Sequence, residues 1–228
     1  METTWLGEGA DHRETYALQR RLHAEVADGT RGPTLLLLEH ASVYTAGTST
    51  QPGDLPTDGS EVIEVDRGGR ITWHGPGQLV AYPIVALPEA VRVVDWVRRL
   101  EEAAIRALAA HDLATGRIAG RAGVWIADDA GERKVAQVGV RVERRTSLHG
   151  VAINVENALA PFEAIVPCGI ADAGVTTLAL ETGRSPGVEA MGRAYAAALE
   201  PLLTFEPFES VGVATRPVPV VAREAVPA

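Results

Sequence analysis

Two side chains carry most of the chemistry this sequence offers, and each is unique. Among 228 residues there is one cysteine, Cys168, and one lysine, Lys134, against twenty arginines. A chain that uses arginine for almost every positive charge marks Lys134 as a position where arginine does not suffice. A guanidinium stays protonated, whereas an ammonium shifts its pKa with its surroundings and exchanges a proton. The alternative is a lysine that survives by chance on a surface loop. Cys168 lies in Pro167-Cys168-Gly169, flanks that describe a loop more than a core strand. A lone cysteine excludes an intramolecular disulfide and a cysteine-cluster metal site, which leaves packing or reactivity. With an ordinary pKa of about 8.5 the thiol is mostly protonated at neutral pH, so a nucleophilic role needs a cationic neighbour, Lys134 or a histidine.

A second constellation is glycine-rich. Arg67-Gly68-Gly69-Arg70 follows a strand-like run, and His74-Gly75-Pro76-Gly77-Gln78 comes a few residues later. Paired glycines serve a hairpin turn or let backbone approach a ligand closely. Two such turns flanking one short strand describe the wall of a pocket. His74 and His149 each precede a glycine, and neither has metal-ligand spacing to another His, Asp or Glu, so no metal is expected. Structural or substrate-contact roles suit both better than acid–base catalysis.

The elements that must position these residues follow from periodicity. Arg13 to Ala27 reads as an amphipathic helix stopped at Asp28-Gly29, and Thr34 to His40 as a buried strand. Ala41 to Ser60, interrupted by glycine and proline, reads as a long loop. Strands are expected at Glu61 to Asp66, Leu79 to Val85, Ala122 to Ala127, Lys134 to Val142 and Leu148 to Val155, with Gly131 to Lys134 closing a turn. Val93 to Ala110 is the clearest helix, with Val93, Val94, Val97, Leu100, Ala104 and Leu108 on one side and Arg98, Arg99, Glu101 and Glu102 elsewhere. Pro161 to Gly169 reads as loop, and Val188 to Leu203 as a last helix. Strands outnumber helices without a regular βαβ alternation. The fold class is therefore α/β in the α+β sense, a mixed, largely antiparallel sheet flanked by helices.

Composition bounds the rest. A 46% hydrophobic chain of this length supports one domain, placed at 1–210, with 211–228 a flexible C-terminal tail. The net charge of -9 and pI near 5.2 argue against nucleic-acid binding. No apolar run approaches the roughly 20 residues of a membrane span, and the opening METTWLGEGADHRE is acidic, so a soluble, cytoplasmic protein is expected.

The blocks RGGRITWHGPGQLVAYPI (Arg67 to Ile84), RKVAQVGVRV (Arg133 to Val142), LHGVAINV (Leu148 to Val155) and PFEAIVPCGI (Pro161 to Ile170) together resemble the lipoyl (octanoyl) transferase family of protein lipoylation. The likeness spans residues 10 to 205, in family order and spacing. Two departures stand out: Gln137 where an apolar residue is expected, and Thr176-Thr177-Leu178 where threonine-serine-leucine is usual. The first bears on the shape of an acyl tunnel.

The resemblance implies a biotin/lipoate protein ligase-like fold and a Cys168/Lys134 dyad. It implies octanoyl contacts from Arg67, Gly68, Gly69, Arg70, Ile71, Thr72, Trp73 and His74, from Gln137, Val138 and Gly139, and from Gly150, Val151 and Ala152. The implied reaction moves octanoyl from octanoyl-acyl carrier protein, through a Cys168 thioester, to a lysine of lipoyl domains of 2-oxoacid dehydrogenase complexes and of the glycine cleavage H protein. No cofactor is expected beyond the phosphopantetheine arm that delivers the acyl group, and a monomer is expected. Backbone N–H groups near Cys168 and Gly169 are candidates for an oxyanion hole, whose donors the sequence does not locate. An acidic chain that meets acidic carriers needs a basic patch, and Arg117, Arg121, Arg141, Arg144 and Arg145 either supply it or merely charge a strand edge. Three rivals stay open: an ATP-dependent lipoate or biotin ligase, a cysteine hydrolase with a histidine base, and a non-catalytic relative that binds acylated carrier.

Overall fold

The computed structural model describes residues 1–170, 172–211 and 213–214. In chain order the elements are β1 (Glu2–Trp5), α1 (His12–Ala27), β2 (Thr34–Leu38), β3 (Val43–Ala46), β4 (Val62–Glu64), β5 (Thr72–His74), β6 (Gln78–Ile84), α2 (Val93–Ala109), β7 (Gly116–Ile118), β8 (Arg121–Asp128), β9 (Gly131–Glu143), β10 (Thr146–Asn154), α3 (Ala160–Glu163), β11 (Gly174–Val175), α4 (Leu178–Thr182), α5 (Val188–Leu199) and β12 (Val213–Ala214). The main sheet runs β1-β2-β6-β10-β9-β8-β7-β12, with β11 beside β9. Its long central pairs are antiparallel, while β1, β11 and β12 add parallel edges. A small sheet, β4-β3-β5, stands apart from it. This is the α+β architecture that the sequence pattern calls for.

Both faces of the main sheet are covered, which is why β2 and β6 read as near-continuous apolar runs. Leu35 and Leu37 of β2 with Leu79 and Ala81 of β6 enter a large core under α2 and α5. Their alternate neighbours Leu36, Leu38, Val80 and Tyr82 pack under α1 with Leu22 and Val26. The period of two thus divides one strand between two cores. A third cluster, Ile71, Trp73, Phe162 and Ile165, joins the small sheet to the segment leading to Cys168.

Several sequence expectations need revision. In α2 the first-turn residues Val93 and Val94 are exposed, and the buried stripe is Trp96, Leu100, Ala103, Ala104, Ala107 and Leu108. Glu101 and Glu102 are fully buried, because Arg98, Arg106 and Arg117 pair with them and Gly123 N–H donates to Glu101 Oε1. The segment Gly131 to Lys134 is not a turn but the start of β9, whose hairpin turn precedes it. Within Ala41 to Ser60 lie β3 and a 3₁₀ turn at Pro52–Asp54, hidden in the sequence by the surrounding glycines and prolines. Pro161 to Gly169 contains the end of α3 and a 3₁₀ turn at Pro167–Gly169. The last long helix stops at Leu199 and tightens into a 3₁₀ turn through Pro201. Of the expected tail, Val213–Ala214 pair with β7, while 212 and 215–228 lie outside the described residues.

One irregularity sets the face on which Lys134 lies. Val124 of β8 is opposite Ala136, but Trp125 is opposite Lys134, so β9 carries the extra residue Val135 at this point. Val135 and Ala136 both enter the large core, while Lys134 and Gln137 turn to the opposite face. Strict alternation would put Lys134 with Ala136; the bulge re-aims it.

Gly123 faces the bulge at φ +112°, and a Cβ there would come within 2.5 Å of the Ala136 carbonyl oxygen and 3.3 Å of Lys134 Cε. Gly120 also has positive φ, +79°, but open space around it. Gly123→Ala is therefore expected to lower stability in urea unfolding by about 2–4 kcal/mol, against about 1 kcal/mol for Gly120→Ala, the difference being the steric share.

Candidate functional site

The small sheet and the Cys168 turn close over the α1 face of the main sheet and leave a cavity of about 220 Å³. Cys168 and Lys134 both line it, as do Arg67, Gln137, Tyr82 and His12. Residues far apart in sequence are thus gathered at one wall by β5, β9 and the 3₁₀ turn.

Cys168 has φ 56° and ψ 14°, the left-handed region that costs a non-glycine residue free energy. The turn is held there from several sides. Cys168 N–H donates to the Ile71 carbonyl at 3.0 Å and Val166 N–H to the Asp54 carbonyl at 3.2 Å. Arg70 Nε pairs with Asp54 Oδ2 at 3.0 Å, and a side chain on Gly169 would collide with the Arg70 guanidinium. Arg70 therefore clamps the cysteine turn as well as lining the cavity. The N–H groups of Gly169 and Ile170 donate to the Val166 and Pro167 carbonyls. The candidate oxyanion donors around Cys168 are consequently already spent within the turn.

Lys134 is buried, and its Nζ lies 4.6 Å from the centroid of the Trp125 ring. Arg67 is buried too; Nη1 donates to the Gly68 and Arg70 carbonyls and Nη2 to the Thr45 carbonyl and hydroxyl. Burial pulls the Arg67 pKa down, with the Cys168 and Tyr82 side chains acting against that shift, and Arg67 and Cys168 line the same cavity. Sequence reasoning considered Lys134 and the histidines as cationic neighbours and missed Arg67.

The site residues expected from sequence divide in two. Arg67, Gly69, Arg70, Thr72, His74, Gln137, Val138, Gly139, Gly150, Val151 and Ala152 line the cavity with Cys168 and Lys134. Ile71 and Trp73 do not: Ile71, just before β5, and Trp73 within it alternate with Thr72 and His74 and face away, into the cluster with Phe162 and Ile165. Gly68 is also off the lining, its N–H bound to the Val140 carbonyl. His12, Thr45, Val80 and Tyr82 line the cavity without having been singled out. The alternation of β6 is the signal that would have found the last two.

Histidines form one flank. His12 and His40 rings are 5.1 Å apart, His40 and His74 5.8 Å, and His40 Nε2 meets the Tyr82 hydroxyl at 2.8 Å. His74 Nδ1 meets Gln78 Oε1, and Gln78 in turn donates to Asn154. His149 has φ 58°; its N–H donates to Gln19 and its ring stacks on Tyr16 and bonds Asp66 Oδ1 at 2.8 Å. Its register partner Val140 faces the large core, so the left-handed backbone is what swings this ring to the cavity side.

The arginines expected as a docking patch are engaged within the fold. Arg117 binds Glu101 and Glu102, Arg121 binds Glu132 and Asp172, and Arg141 binds Asp66 and Glu143. Arg144 pairs with Asp28, and Arg145 donates to the Pro88 and Val91 carbonyls. Of the two readings, charge bound into the strand edges fits these contacts.

Burial lowers the pKa of His12 to about 3, with His40, His149 and Arg67 adding to the shift, and burial also lowers His40, His74 and His149. A histidine whose folded pKa lies below its unfolded value takes up its proton preferentially on unfolding. Its stabilising effect is complete above the unfolded pKa of about 6.5 and is lost as pH falls toward the folded value. For His12 alone the loss near pH 5 is about 2 kcal/mol, and the other three add to it in the same direction. Urea titrations near pH 7.5 and near pH 5 measure it; equal stability at the two would contradict a neutral cluster.

A family model described as the lipoyl protein ligase A/B catalytic domain matches residues 11–200. The octanoyltransferase of Nocardia farcinica is 57% identical over 176 residues, covering 76% of this chain and 70% of that protein. The octanoyltransferase of Mycolicibacterium gilvum is 52% identical over 206 residues, covering 89% of this chain and 85% of that one. Among solved structures, a lipoate protein ligase of T. acidophilum with bound lipoic acid superposes with a TM-score of 0.71 at 16% identity, covering 94% of this chain and 90% of the other. At that identity the likeness speaks for the fold.

Proposed function

The chain belongs to the lipoyl protein ligase A/B catalytic domain family and within it to the octanoyltransferases, and from that premise we propose that Cys168 carries octanoyl as a thioester and that Lys134 serves both half-reactions. The protein is an acyltransferase that moves octanoyl in protein lipoylation. The observation that carries the finer reading is that its single cysteine and single lysine line one cavity.

In the first half-reaction the Cys168 thiolate, in the cavity it shares with Arg67 and Lys134, attacks the thioester of octanoyl-acyl carrier protein. The acyl–sulfur bond of the donor breaks and its pantetheine thiolate takes a proton from Lys134. Exchange of one thioester for another is nearly balanced, so no nucleotide is required. In the second, a lysine of a lipoyl domain attacks the acyl carbon and gives its proton to the now neutral Lys134, while Cys168 leaves as thiolate. Arginine could fill the first role and not the second. An apolar cavity of ~150 Å³ holds a benzene ring, so the cavity of about 220 Å³ here suits a medium-length aliphatic chain.

Incubation with octanoyl-acyl carrier protein and no ATP should yield an octanoyl adduct of the intact protein that hydroxylamine removes and Cys168→Ala abolishes. An adduct on the Cys168→Ala protein would sink the thioester. Lys134→Arg should retain part of adduct formation yet slow transfer to a lipoyl domain by about 100-fold or more. Equal loss of the two steps would count against Lys134 as the base.

A further inference from the structure

Gln137 is 5% exposed, and neither Nε2 nor Oε1 has a hydrogen-bond partner among the described residues. An interior amide left unpaired costs free energy that a leucine or methionine would not. The side chain lines the cavity with Cys168, and with Lys134 it also borders a smaller void walled by Pro167 and Ile170 of the cysteine turn. It therefore shares the cavity with Cys168 and both spaces with Lys134. Thr72 Oγ1 and His12 Nδ1 are also unpartnered on the cavity wall, but neither residue borders the void beside Lys134. The N–H groups of the cysteine turn are committed to carbonyls, so charge developing on an acyl oxygen needs a donor from elsewhere.

Because both a donor and an acceptor are unpaired, the group that completes Gln137 must offer both. We propose that Gln137 is a catalytic residue of amide formation: Nε2 donates to the acyl oxygen as it becomes the tetrahedral oxyanion, and Oε1 accepts an N–H of the attacking amine. This rests on the Cys168 thioester. The nitrogen–carbon bond forms and the carbon–oxygen double bond opens onto the Nε2 donor. One amine proton passes to Lys134, the oxyanion collapses, and the carbon–sulfur bond breaks with Cys168 leaving as thiolate. In the preceding thiol exchange neither the nucleophile nor the leaving group has an N–H. Only half of the Gln137 amide is used there, so its loss weighs more heavily on the second step.

The test uses the full chain, octanoyl-pantetheine as donor and a lipoyl domain as acceptor, with the two steps timed separately in single turnovers. Gln137→Met should slow Cys168 acylation by about 100-fold, as loss of one preorganised oxyanion donor predicts, and amide formation by about 10-fold more again because the Oε1 acceptor is lost as well. The carbonyl stretch of the ¹³C-octanoyl enzyme should move to higher frequency, and the melting temperature should hold or rise because an unpaired buried amide has been removed. Equal slowing of the two steps, no slowing of either, or a lowered melting temperature overturns the role. If the unmodified protein forms no hydroxylamine-labile adduct at Cys168, the thioester reading fails; if the adduct forms and the steps do not separate, Gln137 alone fails.

Discussion

The guanidinium of Arg67 is buried with neutral oxygens as its hydrogen-bond partners: the carbonyls of Thr45, Gly68 and Arg70 and the Thr45 hydroxyl. Burying a charge on dipoles rather than on a carboxylate is costly, and it leaves a positive field in the space beside it. Much of the site is arranged around that group. It ties β3 to the glycine-rich turn, and it dictates glycine where other chains approach it. A Cβ on Gly47 would come within 2.6 Å of Nη1 and one on Gly139 within 3.0 Å of Cδ. The glycines of this region, legible in the sequence as room for a ligand, in part make room for an arginine. Cys168 lines the same cavity as this guanidinium.

What the sequence made legible was whatever repeats over many residues. The amphipathic course of α1, the apolar runs of β2 and β6 and the four motif blocks all survive local noise, and together they specify the sheet, its helices and the neighbourhood of the site. What escaped depends on single residues. Val135 looks like any valine in a strand, yet as a bulge it decides the face of Lys134. His149 gives no sign of its left-handed backbone, which is imposed by Gln19, Tyr16 and Asp66 from distant parts of the chain. Ile71 and Trp73 fall inside a motif whose other members face the cavity, and alternation alone takes them out of it. Glu101 and Glu102 look like solvent-facing residues until Arg117 arrives from β7.

These exceptions share a cause. A bulge, a positive φ and a buried carboxylate each cost local stability, and each persists because the surrounding sheet and helices over-determine it. The redirected Lys134 and the left-handed His149 serve the cavity side of the main sheet, whereas Glu101 and Glu102 are held on α2, on the other side. That other face, packed by Trp96, Leu100, Met191 and Tyr195 from α2 and α5, is dominated by apolar contacts. The cavity face adds left-handed backbone and the buried charges of Arg67 and Lys134 to its packing. No helix among the described residues is long and apolar enough to cross a membrane.

Beyond the end of β10, the ladder on β9 is taken over by β11: Gly174 lies opposite Arg133 and Val175 opposite Lys134, and the Thr176 N–H donates to the Lys134 carbonyl. The strand that anchors the lysine is therefore stitched to the segment that begins at the cysteine turn. The one thiol of the chain is half-buried, and the strand that carries its one lysine is bound to the segment that follows it.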